Sequence, residues 1–131
     1  MKIYYMKRLG MLLCLITFVL QVAAQNKNEP QKLLRHVVIF SFKEGSTPDQ
    51  IKTVTDAFAA LPNKIKEIKA FEWGTNNSPE NLNQGFTHCF FVSFASEKDR
   101  EIYLPHPEHK AFIEILKPIM DKVLVIDYWT E

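Results

Sequence analysis

Three segments of this chain are apolar on both faces of an extended backbone, and that two-sidedness restricts the folds open to it. From Leu34 to Phe42, the residues Leu34, His36, Val38, Phe40 and Phe42 alternate onto one face, while Val37, Ile39 and Ser41 fall on the other. Thr87 to Phe94 sets His88, Phe90, Val92 and Phe94 opposite Thr87, Cys89, Phe91 and Ser93, and Val123 to Trp129 sets Val123, Val125 and Trp129 opposite Leu124, Ile126 and Tyr128. A weaker strand pattern runs from Ile68 to Thr75 through Ile68, Ala70, Phe71 and Trp73, followed by a polar loop from Asn76 to Gly85. Strands of this kind need a packed layer on each side.

The helical segments supply one such layer. Thr47, Pro48 and Gln50 read as an N-cap, a first-turn proline and the reaching residue of a capping box. Ile51, Val54, Phe58 and Leu61 then form an apolar stripe that Pro62 and Asn63 end. Ser96 with Asp99 opens a second helical region, which Pro105 and Pro107 interrupt and which resumes from Glu108 with Phe112, Ile115, Leu116 and Ile119 before Pro118. The order strand, helix, strand, strand, helix, strand predicts an α+β, ferredoxin-like βαββαβ fold, a four-stranded antiparallel sheet with its helices on one face. Val37, Ile39, Cys89, Phe91, Leu124 and Ile126 are then left as an uncovered apolar face, and the economical cover is a second copy. The expected partner is therefore the chain itself, a homodimer through the face with Val37, Ile39 and Phe91.

The first 24 residues stand apart. Lys2, Lys7 and Arg8 precede an uncharged, mainly apolar stretch from Leu9 to Leu20 and the small residues Val22, Ala23 and Ala24, the three parts of a secretory signal. Gln21 and Gln25 leave the stretch short of the roughly 20 apolar residues a membrane span requires, and Leu13 before Cys14 does not fit lipoprotein processing. The expected organisation is a signal peptide over residues 1–24, a flexible lead over 25–32 and one domain over 33–131. The mature protein is then exported, to a periplasm or the extracellular space, with no stable membrane insertion. The formal net charge of the whole chain is +1, and all 15 acidic residues lie beyond the signal, so the remainder carries −2. That balance excludes a basic nucleic-acid-binding domain. Only Cys89 remains among the cysteines, inside a strand pattern, which gives no internal disulfide and reads as a small buried hydrophobe.

Four motifs in order, Leu34 to Lys43, Gly85-Phe86-Thr87-His88, His106-Pro107-Glu108-His109 and Asp127-Tyr128, resemble the stress-responsive dimeric α/β barrel (Dabb) domain family over Leu33 to about Tyr128. The resemblance implies two ferredoxin-like protomers whose sheets close into a barrel, in agreement with the uncovered faces. It also implies a range of activities, among them plant polyketide cyclases that work in a cavity between sheet and helices. By that resemblance His109 is a base, Tyr103 assists it and His36 lies in the pocket, while Phe40 and Phe90 stand where the cyclases carry smaller aliphatic residues.

His106 and His109, three residues apart at a helix start, are chemically able to bind metal, move protons or cap structure. Two histidines lack the third and fourth ligands of a zinc site, so no metal is expected. Nothing resembles a phosphate loop, a serine triad or a dinucleotide fingerprint, and no cofactor is expected. An imidazole over an apolar pocket suits general base work. The expected site has His109 and Tyr103 as catalytic groups and His36, Val38, Phe40, Val54, Phe58, Phe90 and Phe112 lining the ligand space. Three functions follow: binding or acid/base transformation of a small apolar or phenolic molecule, a non-catalytic stress or interaction protein whose barrel is filled by its own aromatics, and a cofactor-independent monooxygenase of the wider dimeric barrel group.

Overall fold

The computed structural model describes residues 31–131, so the expected signal peptide over residues 1–24 and most of the expected lead over 25–32 lie outside the described residues. The elements run β1 (Leu34–Phe42), α1 (Pro48–Ala59), a 3₁₀ turn (Leu61–Asn63), β2 (Ala70–Thr75), β3 (His88–Phe94), α2 (Glu97–Tyr103), α3 (Pro107–Leu116) and β4 (Met120–Trp129). The four strands form one antiparallel sheet in the order β2-β3-β1-β4. This is the ferredoxin-like α+β arrangement that the strand and helix order predicts.

Local chemistry accounts for each boundary. Gly45 takes φ 83° in the turn after β1, a conformation that costs glycine little. Thr47 then accepts from the Gln50 backbone N–H while the Gln50 side chain accepts from the Thr47 N–H, closing the capping box. Ser96 caps α2 by accepting from the Asp99 N–H. The sequence Pro105-His106-Pro107 splits the second helical region in two, because neither proline can donate an intrahelical bond.

The helices pack on one face of the sheet, and the core lies in that layer. Leu34, Val38 and Phe40 of β1, Phe90, Val92 and Phe94 of β3, Val54 and Phe58 of α1, Tyr103 of α2, and Phe112 and Leu116 of α3 are all buried together. The Phe58 ring stacks on Phe90 at 4.5 Å and meets Phe112 at 4.3 Å, and Phe40 stacks on Phe90 at 4.9 Å. Each such ring is worth about 1.5–3 kcal/mol in burial alone.

The sheet's other face is less bare at its centre than the strand pattern suggests. Val37 is only 6 % exposed, shielded within the sheet by its cross-strand neighbours Phe91 and Ile126, whereas Leu124, Ile126 and Tyr128 on β4 are 42–49 % exposed. The open surface therefore belongs mainly to β4. Trp129, one of the aromatics in the strand pattern, sits on this edge strand and is 41 % exposed rather than part of the core. β4 also begins at Met120, earlier than the apolar pattern from Val123 indicates, because Ser41 and Phe42 at the end of β1 extend the pairing past a bulge.

Candidate active site

Where α2 gives way to α3, the last carbonyls of α2 have no partner within their own helix. One of them is captured: the Leu104 carbonyl accepts from His109 Nδ1 at 2.9 Å. A carbonyl can only accept, so Nδ1 carries the proton and the neutral ring keeps its lone pair on Nε2, the form a general base requires. Burial is the main reason the His109 pKa lies below the ordinary histidine value; the Leu104 bond opposes the shift, and the nearby His36 and His106 add to it. At neutral pH the imidazole is uncharged and free to accept a proton.

Tyr103 closes α2 directly beneath. Its ring centroid lies 4.3 Å from that of His109 and 5.1 Å from that of Phe94, and the residue is fully buried. Among the described residues its hydroxyl has no hydrogen-bond partner. Burial pushes the phenol pKa well up, so the group stays protonated and available as a donor. An orphaned hydroxyl in a dry interior is costly and unusual.

His36, buried on β1, meets the Tyr103 ring edge-on at 5.9 Å. Its Nδ1 donates to Asp127 Oδ1 at 2.7 Å, and Asp127 Oδ2 accepts from Arg100 at 3.0 Å. The two strands place this contact, since His36 and Asp127 are direct cross-strand partners of β1 and β4. Asp127 enters the sequence reading only through the Asp127-Tyr128 motif, and Arg100 not at all. The signal that marks Asp127 is a lone acid within the apolar run Val123–Trp129.

Of the other expected site residues, Val38, Phe40, Val54, Phe58, Phe90 and Phe112 fall in one buried cluster with Tyr103. The phenylalanine rings occupy the middle of the helix–sheet layer and leave His109, half-buried, at its rim. His106 goes elsewhere: its Nδ1 accepts from the Glu108 N–H at 3.2 Å and caps α3. His88 lies between Phe40 and Trp73, stacked at 6.1 and 6.4 Å, and burial lowers its pKa. Among the described residues no three His, Cys, Asp or Glu groups converge as a metal site would need. A recess of about 470 Å³ opens on the opposite face of the sheet, lined by Ile39, Asn76, Leu82, Phe86, Cys89 and Leu124. None of Tyr103, His109 or His36 borders it.

The chain matches the family described as the stress responsive A/B barrel domain over residues 34–130. It is 44 % identical to the stress-response A/B barrel domain-containing protein HS1 of Arabidopsis thaliana over 95 residues, covering 72 % of this chain and 87 % of the relative. Over 95 residues it is 28 % identical to olivetolic acid cyclase of Cannabis sativa, covering 72 % and 94 % of the two chains. Among solved structures it resembles the hydroxynitrile lyase of Passiflora edulis, with a TM-score of 0.72, 28 % identity, and 78 % of this chain and 96 % of that one covered. It also resembles a dimeric ferredoxin-like protein of unknown function from Bacteroides fragilis, with a TM-score of 0.62, 26 % identity, and 75 % and 96 % coverage. The chain belongs to the stress-responsive A/B barrel domain family, whose relatives include both a cyclase and a hydroxynitrile lyase.

Proposed function

We propose that this protein is an exported homodimer that moves a proton on a small carbonyl or phenolic compound, with His109 as general base and Tyr103 as donor to the developing oxyanion. The Tyr103 hydroxyl, unpartnered among the described residues, on a ring that packs against His109 is the observation that carries this reading. His109 Nε2 takes the proton from carbon or oxygen of the substrate, and the phenol O–H donates to the oxygen that gains charge. His36, tethered by Asp127, orients the substrate from the β1 side. Ring closure, in which a carbanion made by deprotonation adds to a carbonyl, and hydroxynitrile cleavage, in which deprotonation of the hydroxyl expels cyanide and leaves a carbonyl, can both be driven by acid/base catalysis, and the presence of a cyclase and a hydroxynitrile lyase among the relatives supports that chemistry. The stacked Phe58, Phe90 and Phe112 rings favour a compact substrate held at the rim over a long chain threaded through the layer.

Deuterium exchange at the acidic carbon of acetylacetone, a small 1,3-diketone, tests the chemistry without knowledge of the natural substrate. The wild type is expected to accelerate exchange above the buffer rate, and His109→Ala to lose the acceleration by about 10²- to 10⁴-fold. Exchange that is unaccelerated, or that survives His109→Ala, overturns the reading. The same phenylalanine stack favours the second reading, a barrel filled by its own aromatics that serves only as an interaction protein, and that is the reading a silent exchange assay leaves standing.

Dimerisation through the face bearing Val37, Ile39 and Phe91 accompanies either reading. Export is tested by intact-mass measurement on protein from the native host: a chain beginning near Gln25 supports it, and retention of residues 1–24 overturns it.

A further inference from the structure

The recess on the outer face of the sheet takes no part in the proton-transfer site. Its floor is made by Gly74 of β2 and Cys89 of β3, which are direct cross-strand partners. A glycine inside a strand weakens it and marks a place where something approaches the backbone closely. No protein group among the described residues does so: a Cβ placed on Gly74 would meet no heavy atom within 4 Å. Burial, and then the Glu72 carboxylate, raise the Cys89 thiol pKa, so that side chain stays neutral and serves as floor rather than nucleophile. Larger apolar side chains stand around this low ground, Ile39 and Leu124 from the sheet, Leu82 and Phe86 from the loop between β2 and β3.

That loop is a wall with its own frame. The Asn76 N–H donates to the Thr87 carbonyl at 2.8 Å and closes its base, and the Asn83 side chain donates to the Phe86 carbonyl at 2.8 Å. Leu82 borders the recess yet is 74 % exposed, more than any other large apolar side chain among the described residues. An apolar side chain at the lip of an apolar recess gains cover when the recess is filled.

Lys122 brings a positive charge to the same lip. It lies on the outer face of β4, two residues before Leu124, and its Nζ donates to the Gln84 carbonyl at 2.5 Å and sits 5.2 Å from the centre of the Phe86 ring. Gly85, at φ 84°, leaves the room that the ammonium occupies, since a Cβ there would lie 2.8 Å from Nζ. Among the described residues no carboxylate lies within ion-pair distance of Lys122. The adjacent Asp121 accepts from Ser41 instead. An ammonium has three donors and the loop uses one, so an acidic group can be added without breaking that bond. Glu72 borders a smaller hollow beyond Gly74 rather than the recess itself. The polarity therefore has a direction, positive at the loop, apolar over the floor and negative only past it.

We propose that the recess is a second binding site, for a small monocarboxylate with an apolar ring or short chain, its apolar body over Gly74 and Cys89 beneath Leu82 and its carboxylate on Lys122. About 470 Å³ is within the range of small-molecule sites. The site is separate from His109 and Tyr103 and does not rest on the proton-transfer reading. Of Val37, Ile39 and Phe91, the residues expected to meet a second copy, only Ile39 borders the recess.

Hydrocinnamate, titrated calorimetrically into the full chain, is the probe, with the neutral hydrocinnamide beside it. The expected result is one hydrocinnamate per protomer and much weaker binding of the amide. Lys122→Gln is expected to weaken hydrocinnamate by about tenfold, the value of a charge-assisted hydrogen bond, and to leave the amide unchanged. Gly74→Leu fills the floor and Leu82→Asn removes the apolar lip, and both are expected to weaken binding; the exposed position of Leu82 keeps the test open should Gly74→Leu fail to fold. His109→Ala is expected to bind as the wild type does. Absence of binding overturns the proposal, and so does binding lost in His109→Ala but kept in Leu82→Asn, which places the probe between sheet and helices. Equal affinity for the acid and the amide overturns the role of Lys122 and with it the ligand class. Sedimentation in the same buffer completes the test: hydrocinnamate that binds only as dimers dissociate overturns the proposal, because the partner copy then fills the recess.

Discussion

His36 Nδ1 lies 2.7 Å from Asp127 Oδ1, and the two residues sit directly opposite each other on β1 and β4. Because the carboxylate accepts at Nδ1, Nε2 is the ring nitrogen left to face the interior. Arg100 holds the second carboxylate oxygen, so three elements, β1, β4 and α2, are tied through one acid.

Replacing Asp127 by Asn keeps the shape and removes the charge, and the new amide then turns a donor toward either Arg100 or His36. Asp127→Asn is expected to lower stability by about 1 kcal/mol, the value of a charge-assisted hydrogen bond discounted for its partial exposure. It should also reduce diketone exchange by freeing the His36 ring. Urea midpoints and exchange rates on the same preparation check both. A variant matching wild type in both measurements would show that the pairing is incidental.

Acid should weaken the fold through two histidines. Burial lowers the pKa of both His88 and His109 below the ordinary histidine value, about 6.5 in the unfolded chain. Between the folded and unfolded values the unfolded state binds more protons, so stability rises with pH across that window. The stabilising effect is fully present above about pH 6.5 and is lost as the pH falls toward the depressed folded values. Urea unfolding at a series of pH values should show that loss, and it should shrink in His88→Asn and again in the double variant with His109→Asn. A slope unchanged in the double variant would place the acid sensitivity elsewhere.

The two histidines of the His106-Pro107-Glu108-His109 motif should separate cleanly. His106 caps α3, so His106→Ala is expected to cost about 0.5–2 kcal/mol of stability while retaining most of the exchange activity. His109→Ala, by contrast, should leave the dimer intact and stop the exchange. Thermal melts and exchange rates on the pair decide the matter, and the assignment fails if the losses fall on the opposite residues.

The motif itself does not reveal this division of labour. Two histidines at spacing three look equivalent in a sequence; the backbone at the start of α3 turns one toward the Glu108 N–H and the other toward the Leu104 carbonyl. The fold was far more legible, because the alternation in β1 and β3, the capping box at Thr47 and the prolines at 105 and 107 are each local signals. The Asp127 tether was not, since it depends on the register of strands 91 residues apart in the chain. The bareness of β4 was likewise hidden: periodicity reports which face is apolar, not how far a helical layer extends across the sheet. The same limit applies to Val37, whose cover comes from its cross-strand neighbours rather than from its own strand.

Tyr103→Phe offers the sharpest test of the proposed site, because stability and chemistry should move in opposite directions. The hydroxyl is buried and, among the described residues, unpaired, so the folded state bears its desolvation without a compensating bond. Deleting it leaves the ring packed against His109, Phe94 and His36 and removes that cost. The variant is expected to be as stable as wild type or more so, by up to about 1 kcal/mol, while diketone exchange falls because the oxyanion loses its donor. Gain of stability with loss of activity is the pattern of a group kept for function. Were Tyr103→Phe instead to destabilise the protein, the hydroxyl would have a structural partner; were exchange to continue unchanged, the phenol would have no part in the chemistry, and His109 would act with some other donor.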